Sequence, residues 1–520
     1  MLVESAARAR ASRQTAATPA IESAERVEWL IDNADAYRAL VLACRSAHAT
    51  IWISQLALDA DCYAYDLATP HGRARPSTTT IALELITAAQ RGVQVRVLLN
   101  ASLLLDTAAP LRAYFAAHDV DPQTVRVRGV SRFPQLLHAK MVIVDDAEVF
   151  LVGSPFANGY WDDSRHAPLD ARRPKRELGG RPVHDVSSRV TGRIAHQLGA
   201  AFAEMWNDAE DIQAGDDDRL EAPSTTLRSV GHSSHPSPIR LVRTAPGDGP
   251  VDILPALLDG ISRARTLIYI EHQYLSALPI VDALVAALLR ERALEVIVLL
   301  NQNPDVTAYR GWQNARLRES GLLEHPRVGL FALWTSAVDP DAGPHRMNQV
   351  FVHSKVVAID DRWITFGSAN LDGVSLHSYG DDFSSWLGRR VFRGVRNFDV
   401  NIVLDCGAEH GDGERVRTLR RRLWQEHLGG AFYSEGERPA DGWLPLWRSI
   451  ARRNVAALNR PGNARHLDGP FVLPYSVRST PKAQLADVGV ALAPAAAELC
   501  FAPSWLEVHC SPSWVRNMFG

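Results

Sequence analysis

Lysine is nearly absent from this sequence. Of 56 basic residues in a chain of 520, only Lys140, Lys175, Lys355 and Lys482 are lysine, and the other 52 (56 − 4) are arginine. Cysteine is also sparse. The five present (Cys44, Cys62, Cys406, Cys500 and Cys510) are odd in number, scattered, and form no Cys-x-x-Cys pair. That argues against a disulfide scaffold or a zinc ribbon. No strong charge of one sign is present: the formal net charge is −3. Such a chain has no global field to attract nucleic acid, and no nucleic-acid partner is expected. No run reaches the roughly 18 to 20 apolar residues of a membrane span. The best candidate, Ile280 to Leu300, is broken by Asp282, Arg290, Glu291, Arg292 and Glu295. The first twenty residues lack an apolar core of the kind a secretory signal needs, and residues 1–25 read as a disordered polar terminus.

What is present is ordinary globular composition, 46% hydrophobic and 22% charged, so wholesale disorder is excluded. The length exceeds what one hydrophobic core supports, and two or more domains are expected.

Two of the four lysines share a pattern: His138-Ala-Lys140 with Asp145, and His353-Ser-Lys355 with Asp360. One lysine meets both conditions by chance about one time in 500. Two of four doing so is on the order of a few in 100,000, beyond the usual false-positive risk of a short motif.

The pattern belongs to a larger repeat. Thr50-Ile-Trp-Ile-Ser54, a helical stretch 80–91, and Val93-Gln-Val-Arg-Val-Leu-Leu-Asn100 recur later. Their counterparts are Thr266-Leu-Ile-Tyr-Ile270, a helical stretch 280–292, and Leu294-Glu-Val-Ile-Val-Leu-Leu-Asn301. Each half then reaches its His-x-Lys segment, an Asp-Asp pair and a Gly-Ser pair (153–154 and 367–368). His184-Asp185 and Phe398-Asp399 follow, then helices with Trp206 and Trp424. The offsets are 201 (301 − 100), 215 (353 − 138), 214 (399 − 185) and 218 (424 − 206). So steady an offset indicates a duplicated domain. Strands alternating with helices predict an α/β layered unit with a largely parallel sheet. The expected boundaries are 26–213 for the first unit, 214–238 for a linker, 239–430 for the second unit, and 431–520 for an extension packing on the core. Within that extension a helix is expected from Leu446 to Asn459, with Trp447, Ile450 and Leu458 on one face.

Residues i and i+2 of an extended segment point the same way. Each histidine therefore shares a side with its lysine. An imidazole beside a fixed cation suits phosphate: the ammonium holds an oxyanion and the imidazole reaches phosphorus or the leaving oxygen. A nearby cation also lowers the histidine pKa and favours a neutral nucleophile. Two such units facing each other supply a nucleophile and an acid. Singly, each feature is weak, because strand histidines are mostly packed or solvated and aspartate in a turn needs no catalytic reason.

The two motifs resemble the paired HKD motifs of the phospholipase D superfamily, over most of residues 50–429. Further stretches are similar to the phospholipase D branch proper: Gly159-Tyr-Trp-Asp-Asp163 with His166, Pro182-Val-His-Asp-Val186, Ile268-Tyr-Ile-Glu-His-Gln-Tyr-Leu275, and Leu419 to Gly429. The resemblance implies two tandem α/β/α sandwich domains related by a pseudo-twofold, with one site between them. It implies His138 as nucleophile, His353 as acid and then base, and Lys140 and Lys355 as phosphate holders. Asp145 and Asp360 complete the catalytic motifs. Ser368 and Asn370 are expected at the phosphate, and Asp185 and Asp399 are candidates for orienting the imidazoles. Asn158, Glu271 and Gln273 are further candidates. The sequence departs from the family pattern in two places: the first copy has no intact Gly-Ser-x-Asn, and His272 stands where the branch has Asn.

The implied activity is phospholipid hydrolysis with transphosphatidylation, through a phosphohistidine. A phosphatidyltransferase such as a cardiolipin synthase stays open, and a superfamily nuclease is a weaker rival. No cofactor is expected, and no metal, since no ligand cluster is visible in the sequence. The expected partner is a phospholipid at a membrane surface, met peripherally from the cytoplasm. Residues 381–398 interleave Phe383, Trp386, Leu387, Val391, Phe392 and Phe398 with four arginines, a composition that suits a bilayer interface or an inward-packed strand pair.

Overall fold

The computed structural model describes residues 25–63, 79–102, 105–131, 135–170, 172–174, 178–209, 218–221, 238–337, 345–378, 380, 386–391, 393–407, 413–429, 438–460, 467, 469–491 and 497–499. The N-terminal segment 1–24, most of the 214–238 linker, Lys175, Cys500 and Cys510 lie outside them. Among the described residues no helix is long and apolar enough to cross a membrane.

Two mixed sheets repeat one strand order. In the first, Arg26–Ile31 lies beside Val186–Thr191, then Glu148–Leu151, Met141–Val144, Thr50–Ser54, Gln94–Ser102 and Val125–Val130. In the second the order is Ile239–Thr244, Asn397–Asp405, Trp363–Gly367, Lys355–Ile359, Leu267–His272, Glu295–Leu300 and Val328–Ala337. The duplication legible in the sequence is thus a duplication of topology.

The sheets are less parallel than the alternation of strands and helices predicts. Only the last three strands of each seven run parallel; the other neighbours are antiparallel. One source is the Asp-Asp pairs, each of which joins one antiparallel pair of neighbours. Asp145 and Asp146 have φ of 51° and 54°, and Asp360 and Asp361 have 53° and 55°. Two consecutive residues at positive φ make the tight turn that matches strand twist in a hairpin, so the strands on either side must be antiparallel.

Helices cover both faces. The helix Ile81–Gln90 starts where Thr80 Oγ1 accepts from Leu83 N at 3.2 Å, a side-chain cap on an orphan N–H. In the helix Arg193–Asp208, Ile194, Leu198, Ala201 and Phe202 are buried, the spacing of one apolar stripe. That helix and Glu414–Leu428 bury Trp206 and Trp424 in one central core shared by both halves. Two outer cores, one per half, lie under the remaining helices. The C-terminal extension adds to the second half: the helix Trp443–Leu458 starts three residues earlier than predicted, and Pro470–Pro474 pairs antiparallel with Val328–Ala337.

Candidate active site

The halves exchange short strands. Leu136–Leu137 pairs with the start of Asn397–Asp405, in the register Leu137↔Phe398. Phe351–Val352 pairs with Val183–His184, in the register Val352↔His184. The residue after each pair is therefore brought beside its opposite number: His138 beside Asp399, and His353 beside Asp185. Backbone hydrogen bonds extend the match, with His138 N donating to Phe398 O at 3.1 Å and His353 N to His184 O at 2.8 Å.

The side chains follow. His138 Nδ1 lies 2.7 Å from Asp399 Oδ1, and His353 Nδ1 lies 2.9 Å from Asp185 Oδ2. Each imidazole thus rests on a carboxylate of the other half, which leaves its Nε2 for chemistry. Ser368 Oγ donates to Asp399 at 2.7 Å, and Ser154 Oγ donates to Asp185. A Cβ on Gly153 would collide with the Asp185 carboxylate, and one on Gly367, at φ 154°, with Val400 O. Glycine stands before each serine because the strands approach too closely for anything larger.

The lysines are buried beside the histidines. Lys140 Nζ donates to His138 O at 2.9 Å, and Lys355 Nζ donates to His353 O and to Gln273 Oε1, the latter at 3.1 Å. Burial, helped by Lys140, pushes the His138 imidazole down to about 4 against the pull of Asp399. Burial and Lys355 push His353 down to about 3. Burial together with Lys355 lowers Lys140 to about 7, and burial lowers Lys355 to about 8. Burial opposes ionisation of Asp185 and Asp399, but the facing histidines outweigh it and hold both below the usual carboxylate range. Near neutral pH the arrangement is two neutral imidazoles, two anchored carboxylates, a mostly charged Lys355 and a Lys140 near its titration midpoint, which an entering anion would hold in the charged form. That is a receptacle for an anionic phosphoryl group.

Several expected residues lie elsewhere. Asp145 and Asp360 sit at the far end of the strands that follow the lysines. Asp145 accepts from the backbone N–H groups of His48, Ala49 and Thr50 at 2.8, 2.7 and 2.9 Å. Asp360 accepts from those of Arg265, Thr266 and Leu267 at 2.7, 2.8 and 2.8 Å. Each carboxylate thereby pins the start of the neighbouring strand in its sheet. Ser368 is committed to Asp399, and Asn158 is tied through both ends of its amide to Tyr63 N and Asp61 O. Asn370 is buried, with Oδ1 lacking a hydrogen-bond partner. Gln273 touches Lys355, whereas Glu271 belongs to a separate cluster.

Sequence reasoning missed Ser154, whose signal was available: 368 − 154 equals 214, the offset that relates Asp399 to Asp185. It also missed the cluster around Glu271. Beside it, Asp32, His166, His184 and Glu426 converge in a buried group that no local spacing in the sequence displays. Asp32 and Glu426 are 394 residues apart (426 − 32), beyond any spacing rule.

Residues 44–158 and 257–387 match the family model described as cardiolipin synthase, PLD-like domain, one segment in each half. Phospholipase D A of Dictyostelium discoideum is 24% identical over 352 residues, covering 56% of this chain and 27% of that enzyme. The chain belongs to the phospholipase D superfamily. Among other superfamily relatives, phospholipase D2 of Bos taurus is 20% identical over 542 residues, covering 82% of this chain and 56% of that one. The chain therefore spans only about a quarter to just over half of these relatives. The phosphatidylserine synthase of Haemophilus influenzae shares the superfamily fold, with a TM-score of 0.51 at 14% identity over 77% of this chain and 86% of that one.

Proposed function

We propose that this chain is a phospholipase D-type phosphodiesterase that cleaves glycerophospholipids to phosphatidic acid and a headgroup alcohol, and that it also transfers the phosphatidyl group to alcohols. The observation that carries the reading is the pair of buried histidine–lysine units, each histidine backed by a carboxylate from the other half.

In this reading His138 Nε2 attacks phosphorus while Asp399 holds Nδ1. The bond from phosphorus to the headgroup oxygen breaks, and His353 Nε2 donates the proton that oxygen needs. His353 is neutral in the free site; an entering phosphodiester anion raises its proton affinity. Lys140 and Lys355 hold the non-bridging oxygens. In the second half-reaction His353 takes a proton from water or an alcohol, whose oxygen attacks phosphorus and releases His138. Naming His138 as the nucleophile rests on the family resemblance, because the carboxylate support is nearly symmetric. The substrate is a lipid, and Trp386 and Leu387, 70% and 63% exposed, suit contact with its membrane surface.

A second reading, a phosphatidyltransferase, is favoured by the description of the matching family model. The same residues serve both, and only the acceptor differs. Product analysis on mixed-headgroup liposomes, with and without a primary alcohol or phosphatidylglycerol, tests the two together. Phosphatidic acid as main product in water supports the first. Product only when an alcohol or lipid acceptor is supplied supports the second. No lipid turnover at all, with cleavage of DNA, overturns both.

A further inference from the structure

Behind the histidine–lysine pairs, Asp32, His166 and His184 of the first half meet Glu426 of the second in the interior. His184 Nδ1 lies 3.0 Å from Asp32 Oδ1 and 2.9 Å from Glu426 Oε1. His166 Nε2 lies 3.6 and 3.2 Å from the same two oxygens. Two ring nitrogens and two carboxylate oxygens thus surround one point, and all four are within 4.8 Å of one another. The four nitrogen–oxygen separations, 2.9 to 3.6 Å, are those of edges of a tetrahedron whose centre lies about 2.0 Å from each vertex, the length of a zinc–nitrogen or zinc–oxygen bond.

The outer partners fit the same reading. A metal-bound imidazole commonly turns its other nitrogen to a carboxylate that fixes the ring. His166 Nδ1 is hydrogen-bonded to Asp162 Oδ2 at 2.8 Å, and Arg173 pairs with that carboxylate in turn. His184 Nε2 lies within ion-pair distance of Glu271 Oε1, at 2.7 Å but without hydrogen-bond geometry, and Glu271 accepts from Tyr269 and Ser354, at 2.7 and 2.5 Å. Asp32 is 2% exposed, and its Oδ2 has no hydrogen-bond partner. Asp32 and His166 also both hold φ above zero, at 64° and 45°, a conformation that non-glycine residues keep only when their surroundings demand it.

We infer that Asp32, His166, His184 and Glu426 form a four-coordinate site for a zinc-class divalent ion that clasps the two halves together. The ion would stand in for two protons, because neutral imidazoles around a dication carry the charge that two imidazolium ions would. All four positions are taken by protein, as in a structural centre and unlike a catalytic zinc site with an open place. Its consequence for the active site is positional. His184 precedes Asp185, and its carbonyl accepts from His353 N.

The test uses the purified full chain, and metal content and stability are its readouts, so its outcome is independent of which lipid reaction the active site performs. Protein expressed with zinc in the medium should retain about one equivalent of a first-row divalent metal through gel filtration. Replacement by cobalt should give the visible absorption of a tetrahedral Co²⁺ centre. Glu426→Gln should lose the metal. If that variant does not fold, wild type stripped with a chelator should lose several degrees of melting temperature and regain them with zinc but not magnesium. Metal below about a tenth of an equivalent, with a melting temperature indifferent to chelator and to zinc, would overturn the inference and leave a cluster held by protons.

Discussion

His138 and Asp399 stand 261 positions apart in sequence and 2.7 Å apart in space. Neither half owns a complete histidine–aspartate pair of this kind. Asp185 and His353 repeat the exchange in the opposite sense at 2.9 Å. The exchange follows from register, since each His-x-Lys segment is stitched by a two-residue ladder to the aspartate segment of the other half. A site built this way forms only when both halves have folded and docked.

Asp399→Asn should therefore damage chemistry more than fold. The amide keeps the shape but no longer supports a positive imidazole, as in other histidine–carboxylate pairs. A fall in kcat of about 10²- to 10⁴-fold is expected, with melting temperature nearly unchanged. Asp185→Asn should behave alike. Single-turnover kinetics on a short-chain phospholipid would check both, and a variant within twofold of wild type would show that the carboxylates only pack.

Lysine is rare here, yet it stands at positions 140 and 355, where both ammonium groups are buried and each binds the carbonyl two residues back. A guanidinium is larger and planar and does not fit a point-charge seat. Lys140→Arg and Lys355→Arg should each lower kcat/KM by about 10²-fold or more despite conserving charge. Lys482→Arg, on the surface helix Pro481–Asp487, should be silent in the same assay.

The depressed proton affinities set the pH profile. Both imidazoles are neutral well below neutrality, so the nucleophile loses its lone pair only when pH falls through about 4. Lys140 loses its charge as pH rises through about 7, and Lys355 through about 8. The charge that holds phosphate is thus lost in two steps, and kcat/KM should fall steeply from about 7 upward. A plateau running to pH 10 would contradict the alkaline limb.

Asp145 and Asp360 separate stability from catalysis. Each carboxylate accepts three backbone N–H bonds at the start of a neighbouring strand. Asp145→Ala or Asp360→Ala should cost about 1 to 3 kcal/mol of stability by stranding those donors. The kcat of the folded fraction should stay within about twofold. Denaturant titration beside turnover measurement would separate the two effects.

The fold was legible because duplication writes every element twice. A strand of six consecutive buried residues such as Leu267–His272 announces itself as an apolar run, and its partner stands at a steady offset. The sheet direction was misread because alternation of strand and helix speaks only for the three parallel strands. The antiparallel remainder comes from the Asp-Asp hairpins, whose backbone angles are not written in the residue names, and from pairings between strands distant in sequence. The histidines and lysines were visible by spacing, and the aspartates facing them by repetition. What repetition does not encode is the role of a side chain whose partner is backbone. Asn158 and Ser368 carry phosphate-binding chemistry, but their hydrogen bonds are already used within the protein. The Asp32–Glu426 cluster has no counterpart in a local motif, because its members come from both ends of the folded chain.

The arginine-rich segment offers the remaining test. Phe383 and Phe392 lie outside the described residues, but the helix Trp386–Val391 is described. Trp386 and Leu387 are 70% and 63% exposed, and Arg390 sits over the Trp386 ring at 5.5 Å. Burying such a tip in a bilayer removes apolar surface from water, and the arginines favour anionic headgroups. Since the two side chains are exposed, replacing both by alanine should not unfold the protein. Trp386→Ala with Leu387→Ala should therefore weaken binding to anionic liposomes by about tenfold or more. Turnover of a monomeric short-chain phospholipid should not change. Sedimentation with liposomes beside the soluble assay reads both quantities. Equal loss in both assays would place these residues at the active site instead, and no loss in either would remove them from the lipid surface.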